Sequence, residues 1–174
     1  MKKDFIFPSE LWSTKIDNFQ DINNSLIHYV YKLYNHDKIG SKKSNIGGWH
    51  SHYLNTYEDE KVFGFNEIVN IISENINQLN DYSEFKKDVW VNINGKDAHN
   101  LTHHHHLSEY SGVYYIKSSK DSGNLILLDP YGFYIKKNKS NVKILEHSIK
   151  PEEGMLYIFR GWLPHKVEKN ISDD

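Results

Sequence analysis

No cysteine occurs among the 174 residues, and that absence excludes disulfide staples, thiolate metal sites and cysteine nucleophiles together. Positive charge is not in excess. Lys and Arg number 21 against 23 Asp and Glu, a formal net charge of −2, so nothing in the balance selects a polyanion and no nucleic-acid partner is expected. No run approaches the roughly 20 apolar residues of a membrane span. The opening Met1-Lys2-Lys3-Asp4-Phe5-Ile6-Phe7-Pro8 also lacks the apolar core of a secretory signal. No membrane partner is expected, and the expected location is cytoplasmic. Arginine is nearly absent, with Arg160 the single one. Aromatic residues are plentiful: 14% of the chain, within 38% hydrophobic overall, which is enough to build a core and too much for a disordered chain. The length is that of one domain, read as a single unit over residues 1–174.

The chain changes character near residue 85. In the first part, Ile22, Leu26, Tyr29, Val30 and Leu33 form one apolar stripe at helical spacing, with Asp21 placed to cap it. Phe65, Ile68, Val69, Ile72, Ile76 and Leu79 form a second stripe, with Asn66 as candidate cap. Between them, Ser44-Asn45-Ile46-Gly47-Gly48-Trp49 suggests a tight turn under a buried ring. From residue 86 the period becomes strand-like. Short β-branched or aromatic runs at 89–93, 112–116, 124–128, 142–145 and 155–159, and a last strand at 166–168, are separated by Gly, Pro, Asn and Asp. Five or more strands without intervening helices predict an antiparallel sandwich or barrel. The expected class is therefore mainly β with flanking helices (α+β): a helical and loop part over 1–85, packed outside a barrel over 86–174.

Eleven histidines is a high count, and four are consecutive, His103 to His106. An internal run between strand patterns does not read as a tag, which leaves a polar turn or a metal site. In extended backbone alternate side chains share a face, so His103 and His105 point one way and His104 and His106 the other. Two imidazoles so placed can chelate one cation. A third, His165, follows the strand at 155–159 and the turn Gly161-Trp162-Leu163-Pro164. Two ligands from an early strand and one from a late strand form a facial site with positions left open, the arrangement of a catalytic metal rather than a structural one. Trp49, Trp90 and Trp162 read as core. His50 and His52 have no assignable role, and His99 is placed to tune the ligands.

These residues carry a resemblance. Trp90-Val91-Asn92, Gly95, Ala98, Asn100, His103-x-His105 and Ser111-Gly112-Val113-Tyr114-Tyr115 are followed by Ser122-Gly123-x-Leu125 and Asp129-Pro130. Pro151-x-x-Gly154-x-Leu156 and Phe159-x-x-Trp162-Leu163-x-His165 come later, and Ser44 to Trp49 lies upstream. Together they resemble a small phage and bacterial branch of the 2-oxoglutarate/Fe(II)-dependent oxygenases, over about residues 44 to 170. The resemblance implies a double-stranded β-helix (jelly roll) and an oxygenase, most simply a hydroxylase, using Fe(II), 2-oxoglutarate and O2. It places iron on His103, His105 and His165, choosing that pair over His104 and His106. In most of the wider superfamily the second ligand is a carboxylate, so a histidine there leaves the site one negative charge poorer.

The resemblance also places Tyr115 at the distal carboxylate of 2-oxoglutarate. It implies a cation on the last strand, an Arg about ten residues beyond the distal histidine. The sequence stops nine residues beyond His165, so the expectation is either a clipped chain or a substitute such as Arg160 or Lys166. Asp129-Pro130-Tyr131 opens an aromatic loop in which Tyr131, Phe133 and Tyr134 are candidates to line a substrate pocket. A cupin-type metal protein with Glu109 as an extra ligand is the nearest rival, because Glu109 follows the His-x-His pair at cupin spacing. His165, however, lies eleven residues past Gly154, the longer spacing of the oxygenases. A non-catalytic jelly-roll binding module is the other alternative. A homodimer is expected only by analogy with other jelly rolls.

Overall fold

The computed structural model describes residues 9–54, 57–79, 85–131 and 145–173. In chain order its elements are β1 (Leu11–Lys15), α1 (Phe19–His36), β2 (Asn45–Ile46), β3 (Trp49–His50), α2 (Tyr57–Glu60), α3 (Phe63–Leu79), β4 (Asn92–Ile93), β5 (His99–His103), β6 (Tyr110–Tyr114), β7 (Leu125–Leu128), β8 (Glu146–Ile149), β9 (Met155–Arg160) and β10 (His165–Val167). The strands form an antiparallel sheet β1-β9-β6, a larger sheet β2-β5-β10-β7-β8, and the short pair β3-β4. The fold is mainly β with flanking helices, as the residue patterns predict. Among the described residues, no helix is long and apolar enough to cross a membrane.

Strand alternation divides the core in two. Leu156 and Ile158 of β9 face outward and bury themselves with Ile22, Leu26, Phe65, Ile68 and Ile76 of α1 and α3. Their neighbour Phe159 faces the opposite way, with Tyr157 packed beside it, and meets Leu125, Leu127, Ile149 and Leu163 from the large sheet. The helices therefore close the outside of the small sheet, and the space between the two sheets is a separate apolar interior.

Several boundaries differ from expectation. Helix α1 begins two residues before Asp21, which lies inside its first turn, and the N-cap Asn18 makes no side-chain capping bond. Asn66 likewise lies inside α3, which starts at Phe63. The run at 89–93 contracts to β4 because Ser51 intervenes: its amide donates to the Val91 carbonyl at 2.9 Å, and its Oγ accepts the Val91 amide at 3.0 Å, so a side chain replaces a ladder partner. The strand expected at 142–145 is found at 146–149, and residues 142–144 lie outside the described residues. The final strand starts at His165 itself. Strand β1 has no counterpart in the sequence reading.

Candidate active site

Strands β5 and β10 are antiparallel neighbours, and their register sets His165 directly opposite His103. Facing residues in such a pair hold their Cβ atoms about 5 Å apart, and the two imidazole centroids lie 4.3 Å apart. His105 stands two residues past the end of β5 and keeps the alternation of the strand. Its ring is 5.1 Å from that of His103 and 5.2 Å from that of His165, whereas His104 turns to the other side and meets His106 at 5.3 Å. The loop is fixed in place by its backbone: the His105 amide donates to the Gly161 carbonyl at 2.7 Å, and the Ser108 amide donates to the His105 carbonyl at 2.8 Å. One ligand atom from each of the three histidines lies within 4.8 Å of the others.

The ring nitrogens are assigned by their neighbours. Nδ1 of His103 is 2.8 Å from the Leu101 carbonyl, and Nδ1 of His165 is 2.9 Å from the Leu163 carbonyl. A carbonyl can only accept, so each Nδ1 carries the proton and each Nε2 keeps its lone pair for a cation, the usual support of a metal-bound imidazole. Burial holds all three below the ordinary imidazole value, with His105 pushed down to about 4 and His165 to about 3; repulsion from His103 adds to both. They are neutral at physiological pH, which is the state that ligates. Three neutral imidazoles suit a first-row transition metal, and metal–nitrogen bonds of about 2.1 Å would draw the rings inward. The donor set fits a bound Fe(II).

Other expected residues divide. Tyr115 continues the β6 ladder, its amide donating to the Met155 carbonyl at 3.1 Å. By alternation it shares the inward face of Val113, and its ring lies 6.2 Å from that of Tyr157. Arg160 does not enter the interior. It has the parity of Leu156 and Ile158, bonds Glu10 at 2.7 Å and Glu109 at 3.2 Å, and lies over the Tyr110 ring. Lys166 projects opposite to His165 and pairs with Glu146 at 3.1 Å. Neither cation faces the histidines. Glu109 is held by Arg160 and does not join the histidine cluster. Tyr131 is 62% exposed, and Tyr134 lies outside the described residues.

The sequence reading missed two groups. Trp90, expected only as core, packs on His105 at 5.4 Å and is stacked by buried His50 at 5.7 Å. Ser44 and Asn100 adjoin His103: Asn100 Nδ2 donates to Ser44 Oγ at 3.2 Å, and Ser44 Oγ lies 3.5 Å from His103 Nε2. The signal available was the compact Ser44–Trp49 motif. The His99 ring bonds the Asp97 carbonyl two residues before it, at 3.3 Å, and joins none of the three histidines.

Comparison with known proteins agrees with this architecture. The profile of a family described as "Putative 2OG-Fe(II) oxygenase" matches residues 88–174, which hold all three histidines. Among solved structures, a prolyl-4-hydroxylase from Pseudomonas putida is similar at a TM-score of 0.67 and 15% identity, over 91% of this chain and 84% of that one. A prolyl hydroxylase from Trichoplax adhaerens, in complex with a hypoxia inducible factor oxygen degradation domain peptide fragment, is similar at 0.62 and 17% identity, over 92% and 78%. No curated protein sequence matches the chain. At such identities the structures establish the shared jelly-roll fold, and the profile, spanning half of the chain, establishes kinship: this chain belongs to the 2-oxoglutarate/Fe(II)-dependent oxygenase family.

Proposed function

We propose that the chain is a 2-oxoglutarate-dependent dioxygenase acting as a hydroxylase, with Fe(II) held by His103, His105 and His165 and the distal carboxylate of 2-oxoglutarate met by Tyr115. The observation that carries this reading is the convergence of three neutral imidazoles beside an apolar interior, two of them with Nδ1 already committed to a carbonyl. When bound, iron supplies the oxidising chemistry, coupling decarboxylation of 2-oxoglutarate by O2 to hydroxylation of a C–H bond.

The residues of the chain supply position and dryness. Phe159 packs on His165 at 5.0 Å, and Leu125, Leu127, Ile149 and Leu163 line the same interior, so water is excluded on that side of the imidazoles. Tyr115 makes no hydrogen bond through its hydroxyl among the described residues, and burial raises its pKa above the ordinary phenol value. It therefore remains protonated and can donate to a carboxylate oxygen. Glu109 is engaged by Arg160, which leaves the cupin-type reading without its extra ligand.

Anaerobic addition of Fe(II) and then 2-oxoglutarate to the metal-free protein tests the assignment. A weak visible charge-transfer band is expected only with both present. Iron binding without the band would favour a non-catalytic jelly-roll module, and no iron binding would return the histidines to a polar turn. A peptide is the first substrate class to screen, because the Trichoplax relative is held with a peptide fragment.

A further inference from the structure

We propose that Ser44 is a further residue of this site: its hydroxyl, held by Asn100, donates to the chelating carboxylate of 2-oxoglutarate. The inference rests on the three-histidine reading above. It starts from an irregularity in β5. His103 faces His165, but Asn100 faces Val167, so three steps along β5 match two along β10. The extra residue of this bulge places Asn100 and His103 on the same inward face and leaves Leu101 and Thr102 exposed. Strand β2 then pairs along the other edge of β5, Asn45 facing Asn100, and the Leu101 amide donates to the Ser44 carbonyl at 2.8 Å. Ser44 is thereby fixed beside His103.

The hydroxyl has one donor pointing at it and one proton to give. Asn100 Nδ2 donates to Ser44 Oγ at 3.2 Å, and Asn100 is itself aligned because its Oδ1 accepts Asn94 Nδ2 at 2.8 Å. Asn94 is held in turn, its carbonyl accepting Asn170 Nδ2 at 2.8 Å. The Ser44 proton is thus directed away from Asn100, toward His103 Nε2 at 3.5 Å, the far limit of a hydrogen bond. That nitrogen is the one left for the metal. Once its lone pair is taken, Ser44 keeps its donor and loses its acceptor. Among the described residues no carboxylate belongs to the cluster, so both charges of a divalent cation remain for an anionic ligand to balance. A carboxylate accepts hydrogen bonds and cannot donate them, and on a metal held by His103 Nε2 it would find in the adjacent Ser44 hydroxyl a neutral donor.

The test uses the full chain, loaded anaerobically with Fe(II) and titrated with 2-oxoglutarate by the visible band. Ser44→Ala is expected to bind Fe(II) like wild type but to need about tenfold more 2-oxoglutarate, the usual effect of losing a hydrogen bond to a charged group. Ser44→Thr, which restores the hydroxyl, should recover the wild-type titration. Unchanged 2-oxoglutarate affinity in Ser44→Ala overturns the proposal. So does an equal loss of Fe(II) affinity, which would make Ser44 only a support for His103. A wild-type chain that binds no Fe(II) overturns the three-histidine reading along with it, and the missing metal signal distinguishes that outcome from the other two.

Discussion

His103 and His165 each have a carbonyl on Nδ1, whereas the His105 ring makes no hydrogen bond among the described residues and is held by the Trp90 ring and the backbone bonds of its loop. All three nitrogens are needed to close a facial site. His165→Ala should therefore weaken metal binding by more than the roughly 10–100-fold that follows from loss of a ligand's supporting partner. His104→Ala should leave it intact, since that ring faces His106; calorimetric titration of the metal-free protein with Fe(II) or Co(II) separates the two. The same burial gives the metal-free fold a pH dependence. Unfolded imidazoles protonate near 6.5, but in the fold His105 resists down to about 4 and His165 to about 3. Between those values the unfolded chain binds more protons, so stability falls as the pH falls. The penalty is absent well above 6.5, grows through the acidic range and levels off at the folded values. Thermal melts of the metal-free protein should show Tm dropping from pH 7 to pH 5, and the double variant His105→Gln, His165→Gln should show a flatter profile.

At the scale of elements, the site depends on how the turn after β9 meets the loop after β5. A Cβ on Gly161 would lie 2.0 Å from the Ser108 carbonyl oxygen and 2.8 Å from that of His105, whereas a Cβ on Gly95 would meet nothing within 4 Å. Gly161→Ala must push the loop that carries His105. It should cost about 1–3 kcal/mol, as overpacking does, and weaken metal binding as well, while Gly95→Ala should do neither; melts and metal titrations on the two variants decide it. Much of this architecture could be read from residue spacing. The two helical stripes mark α1 and α3, and simple alternation paired His103 with His105 and His104 with His106, while the family resemblance chose the first pair. The bulge that brings Asn100 beside His103 could not be read, because a one-residue slip has no local composition signal and depends on pairing with β10. Strand β1 was hidden for the same reason: Leu11–Lys15 is half exposed and becomes a strand only against β9, more than 140 residues later. The ends of α1 and α3 moved because tertiary contacts outweighed capping chemistry, with Gly64 seated against the Ile22 carbonyl.

In the molecule as a whole, the two cores have separable duties. Ile22 is fully buried between the helices and the outer face of β9, and Phe159 is almost as buried between the sheets, against His165. Truncating either to alanine should cost about 2–5 kcal/mol. Only Phe159→Ala removes a wall of the metal site, so only that variant should also lose metal affinity. Metal binding couples the inner core to global stability, because the three histidines come from two strands and a loop that converge only in the folded state. A ligand that binds the folded chain alone stabilises it by about 2.7 kcal/mol at a hundredfold excess over its Kd. For a domain of this size that raises Tm by roughly 5–10 °C. Fe(II) added anaerobically should produce that rise in the wild-type chain and in Ile22→Ala, from a lower starting point. It should produce none in His165→Ala. A rise that persisted without His165 would mean that the cation stabilises the fold from some other place, and the three-histidine centre would have to be abandoned.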